Sequence, residues 1–137
     1  MLQAMVAATE RVFEFLEQPE EIETAKGEID TSKIKGNVEF KHVNFGYDED
    51  KTIINDFSAN IKEGQKIAIV GPTGAGKTTM VKLLMRFYDV NSGEINIDGH
   101  NIKDFKRGEL RKMFGMVLQD TWLFGGTVKE NIKYGNE

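Results

Sequence analysis

Leu2, Met5, Val6, Thr9, Val12, Phe13 and Leu16 recur every three or four positions, so the spacing predicts an amphipathic helix over residues 2–17 that Gln18-Pro19 closes. The rhythm then stops. Residues 18–36 carry Glu20, Glu21, Glu23, Lys26, Gly27, Glu28 and Asp30 with too few apolar groups to form a core, and read as an acidic linker. Beyond Gly36 the pattern changes to alternation and short apolar runs. Val38, Phe40, Val43 and Phe45, then Ile53 to Ile61, then Ile67 to Val70 each predict a strand. The last run leads straight into Gly71, after which Met80, Val81, Leu83, Leu84, Phe87 and Tyr88 space out as a helix with a broad apolar face. This is a strand, loop, helix unit. Further on, Asn91-Ser92-Gly93 predicts a turn, Glu94 to Ile97 a short strand and Asp98-Gly99 a hairpin turn. Lys106 to Lys112 then predicts a short helix and Met113 to Leu118 a buried strand. Strands interleaved with helices make the fold class α/β, and no internal repeat is present.

Composition narrows the function. A chain of 137 residues with 39% hydrophobic and 29% charged residues is of ordinary globular character and about one domain long. Its net charge of -4 argues against a nucleic-acid partner, because phosphate backbones reward clustered Lys and Arg. No stretch reaches the roughly 20 apolar residues of a membrane-spanning helix, so any link to a membrane is expected to run through a partner. The absence of cysteine removes disulfides, thiolate metal sites and cysteine nucleophiles. His42 and His100 lie in no ligand cluster and read as surface or packing residues.

The chemistry concentrates at Gly71-Pro72-Thr73-Gly74-Ala75-Gly76-Lys77-Thr78, which satisfies G-x-x-x-x-G-K-[ST] between an apolar run and a helical pattern. Glycines at 74 and 76 let the backbone wrap closely around phosphate, and the following helix presents N–H groups to anionic oxygens. Lys77 would supply a cation to the terminal phosphates, and the Thr78 hydroxyl a ligand to a bridging Mg2+. Thr79 follows within reach of another phosphate. The competing reading is a structural glycine-rich turn, which the flanking strand and helix patterns disfavour.

What surrounds the loop resembles the ABC ATPases of exporter type. Val43-Asn44-Phe45-Gly46-Tyr47 is similar to the aromatic loop of that family, which implies that Tyr47 stacks on adenine. Phe114-Gly115-Met116-Val117-Leu118-Gln119-Asp120 resembles its Q-loop strand, implying that Gln119 reaches the Mg2+ and the attacking water. Thr121 to Ile132 resembles the exporter form of the same loop. Arg86-Phe87-Tyr88-Asp89, Ser92-Gly93-Glu94-Ile95 and Ile97-Asp98-Gly99 are similar to the stretch after the phosphate-loop helix, with Val90-Asn91 departing where many relatives carry proline.

The resemblance implies a P-loop NTPase core with an antiparallel β subdomain, truncated before the helical subdomain and the Walker B strand. It divides the chain into a linker helix from the membrane domain (1–18), the acidic linker (19–36) and the N-terminal part of an ABC ATPase domain (37–137). It also implies ATP and Mg2+ as cofactors, with ATP held by Tyr47, Gly71, Pro72, Thr73, Gly74, Ala75, Gly76, Lys77, Thr78, Thr79 and Gln119. Lys77 and Gln119 are the expected catalytic groups, and Thr78 and Gln119 the metal ligands. The implied partners are the transmembrane domain of the same transporter and a second nucleotide-binding domain, at the cytoplasmic face of the cell membrane. The signature, Walker B and switch-histidine motifs do not occur in the sequence, so the chain reads as a fragment that binds ATP without turning it over. Two alternatives stay open: a soluble ABC ATPase acting on DNA, ribosomes or cluster assembly, and, more remotely, another P-loop class such as a GTPase or small-molecule kinase.

Overall fold

A computed structural model of the chain describes residues 2–25, 27–48, 50–117 and 122–135, with residues 2–4 described by backbone alone. Its organising element is an antiparallel sheet. Strand β1 (Val38–Phe45) pairs on one edge with β2 (Ile54–Ile61) and on the other with β3 (Ser92–Ile97), and β3 turns through Asp98-Gly99 into the short β4 (His100–Asn101). The spatial order is β2-β1-β3-β4.

The apolar positions of β1 explain an irregularity in its middle. Phe40 and Val43 are three apart, yet both are buried, which strict alternation forbids. A bulge between them, with His42 at φ 47°, absorbs the extra residue and returns Val43 and Phe45 to the core face.

That face packs against helix α2 (Lys77–Leu84) through Met80 and Leu83. Ile95 and Ile97 of β3, Ile102 and Phe105 of the following turn, and Leu110 of helix α3 (Arg107–Lys112) complete one core. Each such side chain removed from water contributes about 1.5–3 kcal/mol, against about 0–1 kcal/mol for an exposed ion pair. The core therefore dominates.

The structure departs from the sequence expectations in several places. Ile67 to Val70 is not a strand: the segment has no ladder partner among the described residues, and Val70 is 86% exposed. Met113 to Leu118 likewise forms no strand over its described part. Met113 caps α3, Val117 is 89% exposed, and Leu118 lies outside the described residues. Continuous apolar runs of this kind suit strands covered on both faces and paired on both edges, and the described residues supply neither to them. Ser92 and Gly93 open β3 instead of forming a turn, and the chain reverses over residues 85–91.

The acidic stretch is also more than a spacer. After helix α1 (Leu2–Leu16), whose described side chains are all exposed, the described residues of 21–36 run as a strap along the domain, interrupted by a short 3-10 turn at Thr31–Lys33. Ile29 and Ile34 pack onto the core, while Glu21 and Glu28 pair with Arg111 and Lys106. Finally, Val128–Lys133 forms a helix, α4, that the apolar spacing did not predict. A reciprocal capping box between Thr127 and Glu130 starts it, and that pair of residues three apart was the available signal.

Candidate functional site

The sheet edge and α2 converge on the glycine loop. The loop leaves the exposed Ile67–Val70 segment, folds through a turn in which the Ala75 N–H donates to the Pro72 carbonyl at 3.2 Å, and enters α2 at Gly76. Gly76 sits at φ 83° and Gly74 at φ 85°, left-handed conformations costly for any residue with a Cβ. At Gly76 a Cβ would also press on Ile53, the residue before β2. A glycine start has a chemical consequence: no side chain caps α2, so its first backbone N–H groups and the positive end of its dipole face the loop interior.

Lys77 closes the ring. Its Nζ donates to the carbonyls of Gly71 and Pro72 at 2.8 and 2.7 Å, which holds the ammonium over the mouth of the loop. Thr78 is exposed beside it. Thr79 points the other way: it is 7% exposed, and its hydroxyl shares a 3.2 Å hydrogen bond with the Tyr47 hydroxyl. Pro72, Thr73 and Ala75 line the exposed turn. Of the expected site residues, the structure therefore brings Tyr47, residues 71–78 and Thr79 together around one helix end. Gln119 and Asp120 lie outside the described residues.

Uncapped amides, an ammonium and an exposed hydroxyl are the donor set that a polyphosphate requires, and they fit one. For Mg2+ the described residues offer the Thr78 hydroxyl and no carboxylate or imidazole cluster, which suits an ion bound largely through phosphate oxygens and water.

Behind the loop lies a polar centre that sequence reasoning missed. Arg86, fully buried at φ 55° just past α2, donates to Asp89 at 2.9 Å and to the Thr24 hydroxyl of the strap at 2.7 Å. Its own carbonyl accepts from Arg107 and Arg111. Partial burial pushes the Asp89 carboxyl up, but Arg86 and Arg107 outweigh it and hold the pKa below its ordinary value. A single arginine after an apolar helix carries no sequence signal of such a role, because its partners lie up to 62 residues away.

The chain is similar to known proteins in sequence and in fold. Residues 54–137 match the family model described as ABC transporter. The chain belongs to the ABC transporter family. It is 53% identical over 134 residues to a fatty acid ABC transporter ATP-binding/permease protein of Mycobacterium bovis, covering 98% of this chain and 21% of that protein. It is 45% identical over 135 residues to an ATP-dependent lipid A-core flippase of Coxiella burnetii, covering 98% of this chain and 23% of that protein. Among solved structures it is similar to a bacterial Atm1-family ABC exporter with ATP bound, at 37% identity and a TM-score of 0.75, covering 98% of this chain and 24% of the other. The chain thus spans between a fifth and a quarter of the length of these relatives. Its α/β fold with an antiparallel sheet is a part of the ABC ATPase fold, and its relatives are exporter-type ATP-binding proteins. Among the described residues no helix is long and apolar enough to cross a membrane.

Proposed function

We propose that the chain binds Mg·ATP, the triphosphate lying in the 71–78 loop against Lys77 and Thr78 and the adenine stacking on Tyr47, and that in the whole transporter this binding drives export. The observation that carries the reading is the uncapped, glycine-entered N-terminus of α2 with Lys77 held across it. Bound Mg2+ would screen the phosphate charge. The chain's own groups orient the phosphates, and Gln119 is assigned to the metal and the attacking water by family resemblance. In this reading the domain sits at the cytoplasmic face of the membrane, meets a transmembrane domain, and pairs with a second copy or a homologous nucleotide-binding domain. A soluble ABC ATPase is disfavoured because the fatty acid transporter relative is named a permease and the lipid relative a flippase.

Base stacking on an aromatic contributes about 1 to 3 kcal/mol, so Tyr47→Ala is expected to weaken ATP binding roughly 5- to 150-fold with the fold intact. Isothermal calorimetry checks it, and an unchanged dissociation constant removes Tyr47 from the site.

A further inference from the structure

Tyr47 is not a free strand-end aromatic. Its ring centroid lies 5.0 Å from that of Phe45 and 5.0 Å from that of Tyr88, both edge-to-face at 83°. Phe45 and Tyr88 are themselves only 5.8 Å apart, so both stand toward one side of Tyr47, which remains 45% exposed. The Thr79 hydroxyl fixes the far end of the ring. Tyr88 is in turn held from both directions along the chain. Arg86 and Asp89 pin the backbone around it, and beyond it Asn91 is laced to the end of β1: the Gly46 N–H donates to Asn91 Oδ1 at 2.7 Å, and the Asn91 N–H to the Asn44 carbonyl at 3.0 Å. Gly46, which precedes Tyr47, has no room for a side chain, since a Cβ there would collide with the Lys51 carbonyl.

We propose that Tyr88 is a positioning residue for nucleotide recognition: by buttressing one side of Tyr47 it presents the other side to the base, and so controls affinity for the nucleoside without touching the phosphates. The inference rests on the reading of Tyr47 as the base platform. A preorganised ring gives up little rotamer freedom on binding, whereas an unsupported tyrosine must be ordered by the ligand. Tyr88 itself is half exposed and contributes to none of the loop contacts described above.

The test compares two ligands, Mg·ATP and magnesium tripolyphosphate, by calorimetry on the chain and its variants. In Tyr88→Leu, ATP binding is expected to weaken roughly 2- to 10-fold, the range that an edge-to-face aromatic contact supports, while tripolyphosphate affinity stays within about twofold. Tyr88→Phe, which keeps the ring, is expected to restore ATP affinity. Adding Tyr88→Leu to Tyr47→Leu is expected to cost nothing further. Tyr88→Met, whose flexible unbranched chain adapts to the space, serves in place of the leucine variant if that chain does not fold. Equal loss of both ligands would show Tyr88 acting through the loop or the fold and overturn the proposal, as would unchanged ATP affinity. If Tyr47→Leu alone leaves ATP binding intact, the base-platform reading itself fails and takes this inference with it.

Discussion

Asp98 sits at the tip of the β3–β4 hairpin at φ 47° and accepts from the backbone N–H groups of Lys35, Gly36 and Asn37 and from the Asn37 side chain. Desolvation pushes its carboxyl up, but these donors, the Asn37 amide foremost, outweigh it and lower the pKa from 3.8 to about 2. A carboxyl whose folded pKa is depressed stabilises the fold above its unfolded pKa, and that contribution fades as pH falls toward the folded value. The wild-type chain is therefore expected to lose stability between about pH 4 and pH 2 through this residue. Asp98→Asn should lower stability at pH 7 and flatten that part of the profile, as followed by urea midpoints at a series of pH values. A profile in the variant parallel to that of the wild type would separate Asp98 from the acid transition. Single residues were unevenly legible in the sequence. Lys77 and the loop glycines announce themselves because their types and spacing are dictated by phosphate. Arg86 and Asp98 do not, because their roles come from partners that the fold delivers from distant parts of the chain.

Among the elements, β1, β2, β3 and α3 were readable because each carries apolar residues that the core takes up. Ile67 to Val70 and Met113 to Leu118 were misread, since an apolar run specifies that a segment wants burial, not that a partner lies beside it. The strap's contacts were hard to read for the opposite reason. Its attachment is carried by charged pairs that count as solvent-seeking in any hydropathy pattern: Glu21 to both Arg111 nitrogens at 2.6 and 3.1 Å, and Glu23 to the backbone N–H of Arg107 at 3.0 Å. The Arg111 bond, opposed by slight desolvation and aided by the charges of Arg111, Arg107 and Arg86, holds the Glu21 pKa below its ordinary value. A fork-to-fork arginine pair is the strongest kind of exposed contact, though still worth about 1 kcal/mol or less. Glu21→Arg is thus expected to speed amide hydrogen exchange in residues 21–28 with little change in global stability, and Arg111→Glu in the same chain to restore protection. Exchange that is unaltered in Glu21→Arg would mean that Thr24, Ile29 and Ile34 hold the strap without the ion pair.

At the scale of the whole molecule, one core carries a sheet and a helix while several apolar segments remain uncovered. Ile67, Ile69 and Val70 precede the loop, and Val117, Trp122, Leu123, Val128 and Ile132 follow α3, all of them exposed. Large apolar side chains exposed in this number favour an interface or self-association. Sedimentation velocity on the chain is expected to show mass rising with concentration, and a monodisperse monomer across the range would contradict it. The central claim is that the glycine loop and Lys77 form a working triphosphate site. Titration of Mg·ATP into the chain and into Lys77→Ala, with folding of both verified by circular dichroism, tests it most directly. Saturable binding that weakens roughly 10- to 150-fold in the variant, the loss expected when a charged hydrogen-bond donor is removed, is the predicted result. Equal affinity in the two chains, or no binding by the folded wild type, would contradict it.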